Sequence, residues 1–140
     1  MSAEDGKAIV QAFYDQWNAG EIDFERLVSS AVTNHQPGRE PEAGIDAFRR
    51  AIEGVMTAVP DSHWATIRLI AEGEYVVCHN IWSGTYGGSS FRSVPTPSGR
   101  AFTVEHVHIY RVVDGRIAEH WVVRDDLALL QQIGAVSTSA

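Results

Sequence analysis

Cysteine is nearly absent from this chain: Cys78 is the only one in 140 residues. A lone cysteine excludes an intrachain disulfide and any multi-cysteine zinc or iron–sulfur cage within one chain. Positive charge is scarce as well. Eleven Lys and Arg are scattered against 18 Asp and Glu, for a net charge of -7. Phosphate backbones are bound by clustered Lys and Arg, so nucleic acid is not an expected partner. Apolar runs are only a few residues long, so no membrane span is expected. No glycine-rich phosphate cradle, G-x-S-x-G elbow or H-E-x-x-H pair occurs. Met1 is followed by acidic and polar residues instead of a basic and then apolar stretch. That predicts no secretory signal and a cytoplasmic protein.

What remains has the composition of a globular protein, with 44% hydrophobic residues. The length fits one domain over residues 1–140, with 135–140 as a loose tail. Ile9, Val10, Phe13, Tyr14 and Trp17 recur at three- and four-residue spacing, which predicts a helix over 4–18 ended by Gly20. Asp23 is a plausible N-cap for a short helix carrying Phe24, Leu27 and Val28. A short strand is expected at 32–36, then a helix over 45–59 with a stripe of Ile45, Phe48, Ile52, Val55 and Val59. Residues 63–72, 74–86, 101–113 and 116–124 are rich in Val, Ile, Thr, Trp and Tyr and read as strands. The segment 87–100 reads as a long surface loop. A last helix is expected at 126–133. Helices followed by a meandering antiparallel sheet make an α+β fold. The first and third helices must bury their stripes on one face of that sheet, and a twisted sheet curling around a helix leaves a cavity between them.

The chemistry concentrates in residues 102–126. Asp114-Gly115 between two strands is a type I′ hairpin signal. If it is a two-residue loop, Val113 opposes Arg116, and regular pairing sets Tyr110 against Glu119, His108 against Trp121, His106 against Val123 and Val104 against Asp125. Opposed residues share a face. One face then carries Phe102, Val104, His106, His108, Tyr110, Glu119, Trp121, Val123 and Asp125. The other carries Val107, Ile109, Arg111, Ala118, His120, Val122 and Arg124. A three-residue loop with a bulge would shift this register. A buried carboxylate beside an imidazole is a proton-transfer pair, and the aromatics would wall an apolar pocket.

Each residue also has a structural reading. Asp125 or Asp126 can cap the last helix. His106 and His108 can be bonded to backbone or neighbouring side chains. Trp121 reads as a core or pocket wall residue, and His120 as facing a subunit interface. His35, before Pro37-Gly38, either points into the cavity mouth or caps a strand. Cys78 and His79 are adjacent in a strand and point to opposite faces, so they form no thiolate–imidazole pair. His106-x-His108 with Glu119 or Asp125 is too little to specify a metal, and no metal or cofactor is expected.

An ordered set of segments resembles the SnoaL-like polyketide cyclases of the nuclear-transport-factor-2-like superfamily. It comprises W-N-A-G-E (17–21), His35 before Pro-Gly, G-I-D-A-F-R (44–49), A-V-P-D (58–61), A-E-G-E-Y-V (71–76), G-T-Y (84–86), S-G-R (98–100), R-V-V-D-G-R-I-A-E-H-W (111–121) and D-D-L-A-L-L-Q-Q-I-G (125–134). The resemblance implies an α+β cone, with a curved antiparallel sheet wrapped around the N-terminal helices, a homodimer formed through the sheet and a cofactor-free intramolecular aldol cyclisation of a hydrophobic carbonyl compound. It makes Asp125 the candidate acid/base and His106 or His108 the enolate partner. Tyr14, Trp17, His35, Phe102, Tyr110 and Trp121 are the candidate substrate contacts. Many relatives have Asp directly after the Trp of E-H-W, where this chain has Val122. That departure keeps a second reading open, a non-catalytic small-ligand-binding protein of the same fold. Epoxide-hydrolase-like and hydroxylation-accessory roles are further alternatives.

Overall fold

The computed structural model describes residues 2–91, 94 and 96–137. Positions 92, 93 and 95 of the expected loop and 138–140 of the expected tail lie outside them. The chain runs α1 (Ala3–Asn18), α2 (Phe24–Leu27), β1 (Val28–His35), β2 (Glu42–Ala43), α3 (Ile45–Ala58), β3 (His63–Glu72), β4 (Tyr75–Thr85), β5 (Ala101–Val113), β6 (Arg116–Arg124) and α4 (Asp126–Gln132). A capping box of Ser2 and Asp5 starts α1. Asp23 caps α2 by accepting from the Arg26 N–H.

The six strands form one curved, unclosed sheet in the order β2-β1-β6-β5-β4-β3. This is the expected α+β architecture, with two differences. The strand expected at 32–36 begins four residues earlier, and it joins β6 in parallel rather than antiparallel fashion. That pairing sets Asn34 beside His120 and His35 beside Trp121.

α1 crosses β3 and β4, and α3 packs on β1. Their stripes meet over the concave face, where Phe13 of α1 touches Phe48 of α3 and Tyr110 of β5. Val10, Phe13, Tyr14, Trp17 and Phe48 are all buried. Each such side chain removed from water contributes about 1.5–3 kcal/mol, which is what holds these helices to the sheet.

The β5–β6 hairpin corrects the regular register. Asp114 and Gly115 have φ of 51° and 76°, the positive values that a type I′ turn needs at both central positions. Val113 opposes Arg116 and Val112 opposes Ile117, as expected, but Arg111 then opposes Glu119. Ala118 is an extra residue, a β-bulge, and it moves every later side chain of β6 to the other face. The concave face therefore carries Ile117, His120, Val122 and Arg124, opposite Val112, Tyr110, His108 and His106. Glu119, Trp121 and Val123, expected inside, face outward. Ile70, Val77, Ile109 and Trp121 follow one another through successive strand pairs as a row on this outer face.

The chain after β4 returns against the end of α3, where the Gly88 N–H donates to the Ala58 carbonyl at 3.0 Å. A Cβ on Gly88 would sit 1.9 Å from the Thr57 carbonyl oxygen. Gly88→Ala should therefore cost about 1–3 kcal/mol of stability, the usual penalty of overpacking against a fixed backbone. Urea denaturation measures it. An unchanged midpoint would show that the loop moves off α3 without loss.

Candidate functional site

The concave face encloses a cavity of about 60 Å³ lined by side chains of α1, α3 and the sheet, among them Phe13, Phe48, Ile52, Trp82 and Val122. Its polar wall is a row of buried side chains joined end to end. Asn34 Oδ1 lies 2.7 Å from His120 Nδ1. His120 Nε2 lies 2.8 Å from His108 Nδ1, and His108 Nε2 lies 3.2 Å from His106 Nδ1. All four residues are at most 7% exposed. Three strands supply them: β1 gives Asn34, β6 gives His120 and β5 gives both remaining histidines.

The row has a direction. An amide oxygen only accepts, so His120 carries its proton on Nδ1 and presents an unprotonated Nε2. His108 Nδ1 then donates to His120, and His106 Nδ1 donates to His108. The unprotonated nitrogen at the far end is His106 Nε2. Asn34 thus sets the tautomer of His106, three residues further along the row, as an orienting group does in other histidine sites. His120 is also held neutral. Burial pushes its pKa down to about 3, and the charge of Arg124 acts in the same direction.

Beside this row, Tyr14 and Tyr110 share a hydrogen bond of 2.5 Å between their hydroxyls. Burial drives both phenols well above their ordinary pKa. Burial also raises Cys78, on the concave face next to His108, to about 11, so its thiolate is scarce at neutral pH.

The cavity therefore brings together four of the residues singled out from sequence: Trp17, His106, His108 and Tyr110. Tyr14 and Phe102 are buried behind its wall, against Tyr110 and Trp82 respectively. Asp125 is not part of it. Its carboxylate accepts from the Ala128 N–H at 3.0 Å as the N-cap of α4, on the exposed surface. His35 and Trp121 stack on the outer face at 4.9 Å, with 3° between the rings. There His35 also binds Glu119 at 2.7 Å. Sequence reasoning missed His120, Asn34 and Trp64. The alternation that exposes His120 was present, but the bulge at Ala118 leaves no mark in the residue pattern.

At its mouth the cavity shares Gln36, Ala51, Val55 and Arg124 with a surface groove of about 580 Å³. Arg124 is fixed there by Asp126 at 3.0 Å and Gln36 at 2.7 Å.

A helix-covered, curved sheet around a histidine-lined apolar cavity defines a SnoaL-type α+β cone. A family model described as SnoaL-like polyketide cyclase matches residues 7–133, and the chain belongs to that family. Among curated proteins, the chain is 27% identical over 134 residues to the aklanonic acid methyl ester cyclase DnrD of Streptomyces peucetius. That match covers 90% of this chain and 88% of the relative. Among solved structures, TsrD of Streptomyces laurentii is 27% identical with a TM-score of 0.83, over 97% of this chain and 99% of that one. AclR of Streptomyces galilaeus, 23% identical, shares the fold with a TM-score of 0.84 over 99% of this chain and 87% of that one.

The neutral His120 makes stability depend on pH. Unfolded, this imidazole takes up a proton below about its ordinary 6.5, whereas folded it stays neutral down to about 3. Its contribution is present above pH 6.5 and is lost as the pH falls below it. Denaturation free energy should decline from pH 6.5 to pH 5, and His120→Gln should flatten that decline. Equal slopes in both proteins would show that His120 is charged in the fold.

Proposed function

We propose that this protein is a cofactor-free cyclase-type enzyme, acting on a hydrophobic compound that carries two carbonyl groups. The observation that supports this most is the row of three buried imidazoles ending at an apolar cavity. Reaction begins when His106 Nε2 takes a proton from the carbon next to one carbonyl. The C–H electron pair moves into that group, and the oxygen becomes an enolate. The enolate carbon attacks the second carbonyl carbon and forms the new C–C bond. The resulting alkoxide takes the proton back from the imidazolium, so no proton, electron or cofactor is left over. While protonated, His106 shares its charge through His108, which spreads a cost that a single buried imidazolium would bear alone.

This reading moves the acid/base from Asp125 to the histidine row. Val122 lies on the concave face opposite His108, where an aspartate would meet the cavity. With valine there, no carboxylate lines the cavity among the described residues, and the imidazoles are the bases in its wall.

Aklanonic acid methyl ester, the compound after which the Streptomyces peucetius cyclase is named, is the first to test. His106→Gln should lower turnover by about 10²-fold or more, the usual worth of a general base. Asp125→Asn should leave turnover and stability intact, because Asn caps a helix as well as Asp, whereas Asp125→Ala should cost about 0.5–2 kcal/mol of stability, as loss of a cap does. Loss of turnover in Asp125→Asn with an intact fold would overturn the assignment. A compound that binds tightly and is recovered unchanged would make the protein a ligand carrier.

The outer row of Ile70, Val77, Ile109 and Trp121, with Ile70 57% exposed, supports pairing of two copies through the sheet. Sedimentation at micromolar concentration should give a dimer; a monomer there would refute it.

A further inference from the structure

We propose that the indole N–H groups of Trp17 and Trp64 form an oxygen-binding site, which holds the carbonyl oxygen of a bound ligand and its enolate. The proposal rests on the proton-transfer reading above and adds the group that takes up the negative charge.

Among the described residues, the buried side-chain polar atoms without a hydrogen-bond partner are Trp17 Nε1, Trp64 Nε1 and Asn80 Oδ1. Both indoles line the cavity, and Asn80 is not part of its lining. They are 7% and 5% exposed, so water does not serve them from outside. An indole N–H is a donor with no accepting role, and a buried donor left unmatched is destabilising. The neighbouring indole shows the contrast. Trp82 stacks on Trp64 at 5.4 Å and 15°, yet its Nε1 donates to Ser62 Oγ at 2.6 Å.

The two unmatched donors belong together. Their rings lie 5.2 Å apart at 69°, so the two indoles are neighbours on one stretch of the cavity wall. In such an edge-to-face pair one N–H can point at the other ring, but the second then still has no acceptor. Their placement is fixed from the backbone. The Asn18 side chain, next to Trp17, donates to the Trp64 carbonyl and accepts from the Trp64 N–H, each at 2.8 Å. This clamp ties the end of α1 to the start of β3. Trp64 also lies 5.3 Å from the His106 ring and 5.2 Å from the His108 ring. An oxygen held by the indoles therefore brings the adjacent carbon to the imidazole row. Neutral, preorganised donors in a dry cavity are what a developing oxyanion needs.

The probes are 1-naphthol, whose anion mimics an enolate, and naphthalene, which has the same rings without oxygen. The chain has four tryptophans, so a 1H–15N spectrum carries four indole signals, assigned through Trp→Phe variants. In the wild-type protein, 1-naphthol should move the Trp17 and Trp64 signals downfield, and naphthalene should not. Trp17→Phe and Trp64→Phe should each weaken 1-naphthol binding about tenfold, as loss of one hydrogen bond to a charged group does. Naphthalene binding should change less than about twofold. Bound 1-naphthol should also ionise at a lower pH in the wild-type protein than in either variant. Equal binding of both probes, with unmoved indole signals, would refute the oxygen site and leave the cavity reading standing. Failure of either probe to bind would remove both. The wild-type spectrum decides the matter even if Trp64→Phe fails to fold.

Discussion

The hydrogen bond from His120 to Asn34 is the contact on which the chemistry of this cavity depends. Its direction is fixed from outside the imidazole row, because an amide oxygen accepts and an imidazole can do either. Without it the three rings have two equivalent proton arrangements. With it, the arrangement that remains leaves an unprotonated nitrogen at the far end, on His106. The bond exists because β1 runs parallel to β6 and sets Asn34 beside His120. Its cost is the burial of three imidazoles, which the hydrogen bonds along the row offset.

The position after the E-H-W tryptophan shows what the row replaces. A carboxylate at 122 would bring a negative charge into an apolar cavity and hold a facing imidazole in its protonated form. Valine leaves the opposite electrostatics, with neutral rings and Arg124 at the mouth as the nearest fixed charge. Such a cavity favours charge that appears during reaction and disperses again. It gives little to a ligand that arrives as an ion.

The helices, the four long strands and the hairpin turn were all legible, because each rests on a local signal: a 3.6-residue stripe, β-branched runs, or Asp-Gly with two positive φ angles. His106, His108, Trp17 and Tyr110 were legible as inward-facing for the same reason, since they sit before the turn or on a helix stripe. The faces of Glu119, His120 and Trp121 were not. They depend on one extra residue, Ala118, accommodated in the pairing of β6 with its neighbours, and a bulge of that kind is decided by tertiary fit. The parallel return of β1, which brings in Asn34, is a long-range pairing of the same sort. Asp125 illustrates the opposite case: its local signal, an acid just before a helix, read as a cap, and the structure has the cap, whereas the acid/base role came from the resemblance.

The size of the cavity bears on how a ligand enters. Pockets that hold drug-sized molecules run to roughly 300 Å³ or more, against about 60 Å³ here. The groove outside the mouth is large enough for a ring system, so the reacting end of the ligand is the part that must go in. Four strands of the inner cavity wall, β1, β4, β5 and β6, are hydrogen-bonded to neighbours on both sides, and they resist displacement. The wall formed by Phe48, Ala51, Ile52 and Val55 belongs to α3 and is held by side-chain packing. Its C-terminal end is fastened through Gly88 and Ser89 to Ala58 and Thr57. The imidazole row is fixed by the sheet, and α3 forms the wall nearest the groove, sharing Ala51 and Val55 with it.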